Sequence, residues 1–248
     1  DNPPEFLLTH PITSSRISDA FNAVDQIEFS GGKKNTINFE FVKARLKERY
    51  ENSSPQSKVR FFKNLFSDNP SHENQYALIL AMQSNGQTDQ ALKLINKILN
   101  KFPKNLILNI TKSEILLSSQ RLDDALENIN AVLNIAPGNY PASIIKSNIL
   151  SAKKESIKAE EILRNLLIKK NDDPSLWMQL SEVQRAGKNI IGYHLSRGEY
   201  FALIGDFDNA LSQFQFALGL SGNSFQTSET IMTKIKSVQA RLGKRRGF

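Results

Sequence analysis

Apolar residues recur at intervals of three and four along most of this chain, the spacing that puts them on one face of an α-helix. Thr13 or Ser14 caps a first predicted helix carrying Ile17, Ala20, Phe21, Val24 and Ile27, which stops before Ser30-Gly31-Gly32. The stretch onward through Lys33-Lys34-Asn35 reads as a linker. A helix over 38–50 places Phe39, Val42, Leu46 and Tyr50 on one stripe, with Glu40, Ala44, Lys47 and Glu48 outside it. Ser53-Ser54-Pro55 breaks the chain, and a helix over 58–66 follows with Phe61, Phe62, Leu65 and Phe66. After Asn69-Pro70 the pattern becomes paired helices with a turn between them: Tyr76 to Met82 and Ala91 to Ile98 around Gly86, Ile107 to Leu117 and Ala125 to Leu133, then Tyr140 to Leu150 and Ala159 to Leu167.

Ala91, Ala125 and Ala159 are 34 residues apart, and Pro103 and Pro137 repeat the same interval. Helix axes about 8–10 Å apart leave no room for bulk at a crossing, which is why a small residue returns there. The prolines end each second helix. A period of this length is that of the tetratricopeptide repeat (TPR), so the expected fold is all-α, a TPR-type solenoid of helical hairpins. The last section departs from a simple fourth copy. It reads as a helix from Pro174 through Trp177, Leu180 and Val183 to Gly187, then helices over 190–204 and 207–220. Gly198, Phe201, Gly205, Ala210 and Ala217 resemble the repeat consensus most closely, with Arg197 standing where Leu is usual. A final helix over 224–242, with Ile231, Ile235, Val238 and Leu242 on one face, is expected to cap the array.

Composition narrows the chemistry. The 248 residues contain no cysteine, which excludes disulfides, thiol catalysis and cysteine-bound zinc. No apolar run is long enough to span a bilayer. The net charge of +7 is dispersed among Lys33-Lys34, Lys153-Lys154, Lys169-Lys170 and Lys244-Arg245-Arg246 without interleaved aromatics. That pattern fits a solvated basic surface and no nucleic-acid partner. The opening Asp1-Asn2-Pro3-Pro4 has neither an initiator Met nor the regions of a signal peptide, so a portion of a longer protein is expected.

The segment Pro4-Glu5-Phe6-Leu7-Leu8-Thr9-His10-Pro11, with Arg16-Ile17 and a downstream repeat array, resembles one family. It is similar to the carboxy-terminal part of periplasmic zinc metallopeptidases of the HtpX-like clan, BepA (YfgC) type. The resemblance takes in Phe41-Val42-Lys43-Ala44-Arg45 and the late stretch from Gly198 to Gly205. It implies that residues 1–35 are the tail of a peptidase domain, with His10 and Arg16 beside its active site, where both side chains can donate to a peptide carbonyl or its oxyanion. Zinc belongs to that parent domain. A zincin helix needs His-Glu-x-x-His, and His72-Glu73 is followed by Tyr76 in place of the second ligand. With only His10, His72 and His194 in the chain, no metal site and no catalytic residue of its own are expected, and His72-Glu73 reads as a surface pair at a helix start.

Four segments result: 1–35, connecting helices over 36–68, a repeat array over 69–220, and a capping helix with a basic tail over 221–248. By the repeat register the groove positions are Glu73, Tyr76, Leu80 and Gln83, then Ile107, Ile110, Glu114 and Leu117, then Ile144, Asn148 and Ser151. Such a mixed apolar and polar groove suits an unfolded or strand-like protein client. Trp177 is expected in the core, while Phe41, Phe216 and Phe248 are either packed or part of a docking face. By the resemblance, the partners are outer-membrane β-barrel proteins or their assembly machinery, and the location is the periplasm. A stand-alone TPR scaffold is the alternative, and an array binding RNA or a membrane surface is a third reading that rests on the charge.

Overall fold

The computed structural model describes residues 36–222 and 224–246 of a chain that divides into two compact units, 1–39 and 40–248. His10, Arg16, the first predicted helix and Phe248 lie outside the described residues. Of the first unit only residues 36–39 are described; Thr36 Oγ1 accepts the N–H of Phe39 at 3.3 Å and starts a helix.

Among the described residues there are twelve α-helices and no strand. They are α1 (Ile37–Tyr50), α2 (Pro55–Asp68), α3 (His72–Ser84), α4 (Thr88–Leu99), α5 (Leu106–Ser118), α6 (Leu122–Ile135), α7 (Tyr140–Ala152), α8 (Ser156–Lys169), α9 (Pro174–Ala186), α10 (Ile190–Leu203), α11 (Phe207–Leu220) and α12 (Phe225–Arg246). From α2 onward each helix packs against the next, the connectivity of a helical-hairpin repeat.

The repeat is metrically strict. Helices α3, α5, α7 and α9 begin at His72, Leu106, Tyr140 and Pro174, each 34 residues after the last. The caps keep step: Ser71, Asn105, Asn139 and Asp173 each accept a backbone N–H of the first turn through a side-chain oxygen. Each such cap contributes about 1 kcal/mol. The turns keep step as well, for Gly86, Gln120, Lys154, Lys188 and Gly222 stand at the same spacing with φ of 76°, 60°, 63°, 60° and 55°.

That periodicity corrects the expectation that the last section leaves the pattern. The interval runs unbroken through α9, α10, α11 and α12; what changes is the side chains. Tyr193 takes the place that Ala91, Ala125 and Ala159 hold, and the small residues move along the helix. Helix α10 is pared on two sides, with Gly192 and Ser196 buried beside Gln184 of α9 and Gly198 and Ala202 buried towards α11. A hairpin spans half a period per helix, so α10 and α11 also resemble a repeat, out of phase with the four before them.

Ala91, Ala125, Ala159 and Ala210 are completely buried, as close helix crossings require. Two apolar clusters show how the core continues: Leu150, Leu163, Leu167, Leu176, Leu180 and Val183 across α7 to α9, and Phe214, Ala217, Ile231 and Val238 where α12 covers α11. Trp177 packs on the first of these while its Nε1–H donates to the Asn171 carbonyl at 2.7 Å. Pro55 starts a helix at its first position instead of breaking one, because its missing N–H costs nothing there.

Helix α1 is the second correction. Phe41 and Ala44 are fully buried, whereas Phe39, Val42, Leu46 and Tyr50, the expected core stripe, are about half exposed or more. The inward face is rotated because α1 does not close on α2. The two helices meet at their turn, where Lys58 Nζ donates to the Glu48 carbonyl at 2.7 Å, and α1 turns its other side to α3 and α5.

Candidate functional site

Two of the expected groove positions, Tyr76 and Glu114, meet around one side chain that the periodicity does not single out. Arg45, projecting from α1, donates through Nη2 to Thr111 Oγ1 at 2.8 Å, to the Tyr76 hydroxyl at 3.0 Å and to Glu114 Oε2 at 3.0 Å. Thr111 and Tyr76 are themselves hydrogen-bonded at 2.7 Å, both fully buried. The guanidinium therefore ties α1 to α3 and α5 at once.

The electrostatics follow from these contacts. Burial acts to lower the Arg45 pKa, but Tyr76 and Glu114 outweigh it and raise the value, so the cation is permanent. Burial pushes the Tyr76 phenol up, which keeps it a neutral donor and acceptor. Glu73, at the start of α3, holds Lys47 and Lys43, the latter at 3.3 Å. Burial alone would raise its carboxyl pKa, yet the two lysines bring it below the ordinary value. Phe41 adds an apolar anchor, its ring 5.0 Å from that of Tyr76 and 6.4 Å from that of Phe102.

Beside this seat lies an apolar cleft of about 260 Å³, walled by Phe41, Val42 and Leu46 on one side, by Ile107 and Ile110 on the other, and by Pro141. Arg45 and Glu114 complete its lining. Tyr76, Leu80 and Ile110 are buried, and Glu73 and Glu114 are engaged by α1, so this half of the expected groove is covered by the chain itself. Gln83, Ile107 and Leu117 are partly buried, and so are Ile144, Asn148 and Ser151 further along. There Asn148 Oδ1 accepts from Gln179 Nε2 of α9 at 2.6 Å, a contact between consecutive repeats.

A second polar junction, unforeseen from the sequence, links α8, α9 and α10. Ser196 Oγ donates to Gln184 Oε1 at 2.7 Å, and Gln184 Nε2 donates to Glu160 Oε1 at 2.9 Å. Burial opposes the ionisation of Glu160, but hydrogen bonds from Gln184, Arg164 and Asn189 outweigh it and lower the pKa. Gln184 is an ordinary polar letter on a helix; only its 1% exposure reveals its role.

His72 and His194, the histidines among the described residues, are engaged separately. His72 lays its ring edge-on against Phe102 at 5.1 Å and has the buried Tyr76 one turn later, so zinc does not fit there. His194 Nδ1 pairs with Gln213 Oε1 at 2.9 Å and its ring stacks on Phe216. Phe41 is thus packed, whereas Phe216 is 59% exposed.

The tetratricopeptide repeat family pattern matches residues 83–142, which run from the end of α3 into α7. The chain is similar in structure to a thermophilic TPR protein of Thermus thermophilus, with a TM-score of 0.50 and 19% identity over 79% of this chain and 98% of that one. A TPR protein from Parabacteroides merdae ATCC 43184 aligns with a TM-score of 0.48 and 14% identity over 91% of this chain and 98% of that one. A MamA RS-1 double mutant aligns at 0.49 and 17% identity, covering 68% of this chain and 97% of that one. The fold is an all-α helical repeat that carries a TPR segment.

Proposed function

We propose that this chain is the protein-binding array of a BepA-type periplasmic zinc metallopeptidase, holding outer-membrane β-barrel clients or their assembly machinery for the attached peptidase. The observation that carries the reading is the run of in-phase hairpins from α3 to α12, an architecture whose stacked first helices present side chains for binding rather than for bond-making. The Thr9-His10-Pro11 and Arg16 segment supports the link to a peptidase, and the groove positions that α1 does not cover, Ile144, Asn148 and Ser151, support a strand-like client. In this reading the array positions clients and the parent domain cuts them, with His10 and Arg16 beside the cut.

Charge supports a protein client over RNA. Lys43, Lys47, Lys58, Lys153, Lys158 and Lys234 are all in ion pairs with acidic groups of the same chain. They are drawn away from a phosphate-binding role.

Two experiments test the reading. The purified chain is titrated with a urea-denatured outer-membrane porin and with a folded soluble protein; saturable binding of the porin alone is expected, and equal or absent binding ends the client assignment. Native protein captured with serum against this chain is then assayed for chelator-sensitive casein cleavage. Cleavage is expected there, and a native protein without zinc or activity supports the stand-alone scaffold instead.

A further inference from the structure

Register makes α1 and α2 a further hairpin ahead of the array. Moving back 34 residues from α3 and α4 lands on 38–50 and 54–65, where α1 and α2 stand. Yet the positions that bury a hairpin core later in the chain are open here. Tyr76, Leu80 and Ile95 are 0%, 7% and 0% exposed, while their equivalents Val42, Leu46 and Phe61 are 49%, 50% and 48% exposed. The two apolar faces of this would-be hairpin thus do not close on each other. At the same time Arg45, equivalent to the buried Ile79, reaches across to Tyr76, Thr111 and Glu114.

We propose that the face of α3 and α5 is a binding site for a basic amphipathic helix, filled by α1 in this structure and freed for a partner's helix when α1 folds back onto α2. The partner's chemistry is read from the mould: an aromatic residue four places ahead of an arginine, as Phe41 and Arg45 are, with lysines beside them. Glu73 and Glu114 supply the complementary charge, and the Tyr76–Thr111 pair orients the guanidinium. Side chains hold α1 in place without the close backbone approach that joins α2 to α3 and every later neighbouring pair, so it can leave without unpacking the array. The apolar area exposed on Val42, Leu46 and Phe61 is covered in the second position, which offsets part of the burial that Phe41, Ala44 and Tyr76 lose. The inference goes beyond the proposed client binding and holds for any client, because it concerns a helix and not a strand.

The test uses the full chain and a fluorescein-labelled peptide spanning residues 37–50. Arg45→Ile puts on α1 the side chain that its equivalent position carries, which removes the latch and favours the hairpin. In the wild-type chain the tethered α1 competes at an effective concentration of the order of millimolar. The peptide is therefore expected to bind the Arg45→Ile chain at least tenfold more tightly than wild type, and to lose that gain when its own arginine becomes alanine. Affinities within twofold of each other, or binding indifferent to the peptide's arginine, overturn the site. Hydrogen exchange is expected to show α1 still protected in the Arg45→Ile chain; exchange at the rate of an unfolded segment overturns the second position. Dimerisation of that chain by exchange of α1 assigns the face to a second copy and overturns a foreign partner. Should Arg45→Ile lose helix content, Arg45→Leu serves in its place, with the same tenfold gain in peptide affinity expected; affinity within twofold of wild type overturns the latch.

Discussion

The ring of Phe214 lies directly on Gly198: a Cβ added to that glycine would stand 2.3 Å from the nearest ring carbon. Both residues are buried, and the contact sets how closely α10 and α11 approach. In an open helix Gly→Ala gains about 1 kcal/mol. Here the overlap outweighs that gain, so Gly198→Ala is expected to destabilise the protein by about 1–3 kcal/mol. Urea denaturation checks it, and Phe214→Leu in the same chain should return part of the loss.

Ala125 and Ala131 sit on one helix with opposite fates, the first at 0% exposure and the second facing solvent. Ala125→Leu forces α5 and α6 apart and should cost about 1–3 kcal/mol. Ala131→Leu should stay within about 0.5 kcal/mol of wild type in the same urea titration. Equal effects at the two sites would show that the crossing is not close.

Gln120, Lys154 and Lys188 hold the left-handed turn that glycine holds at Gly86 and Gly222. A left-handed backbone costs an L-residue roughly 1–2 kcal/mol. Glycine relieves that strain but frees the unfolded chain, which offsets part of the gain. Each of Gln120→Gly, Lys154→Gly and Lys188→Gly is therefore expected to raise stability by up to about 1 kcal/mol, read from denaturation midpoints.

Glu160 has a carboxyl pKa below the ordinary 4.5 in the folded chain. A lowered folded pKa means that the unfolded state binds the proton more readily. The stabilisation is complete above the unfolded value and disappears as pH falls through the folded one. Melting temperature should thus decline on acidification below about pH 4.5, and Glu160→Gln, lower at neutral pH, should flatten that decline. An unchanged slope would assign the acid sensitivity to other carboxylates.

Tyr76→Phe removes a hydroxyl shared by Thr111 and Arg45, though both keep other partners: Thr111 donates to the Ile107 carbonyl at 3.0 Å, and Arg45 retains Glu114. A loss of about 0.5–1.5 kcal/mol is expected. Faster hydrogen exchange in α1 than in α4 would mark the missing bond as part of the α1 attachment.

The repeat was legible from Ala91, Ala125 and Ala159 because small residues at crossings are a local necessity with a fixed period. Other members of the same period were not, for Gln120, Lys154 and Lys188 are not glycines and their left-handed turns leave no signature in the letters. The helix pattern of α1 was legible, but its inward face was not. Val42 and Leu46 look like core at helical spacing, and only the absence of α2 beside them exposes them.

Helix lengths, hairpin order, caps and the 34-residue interval belong to the chain's own letters, since each depends on groups within one or two turns of one another. The site depends on residues far apart in sequence: Arg45 meets Glu114 across 69 positions, and Gln184 meets Glu160 across 24. Long polar side chains such as these pair with whatever the packed helices bring within about 3 Å, so their partners exist only once the tertiary structure has formed.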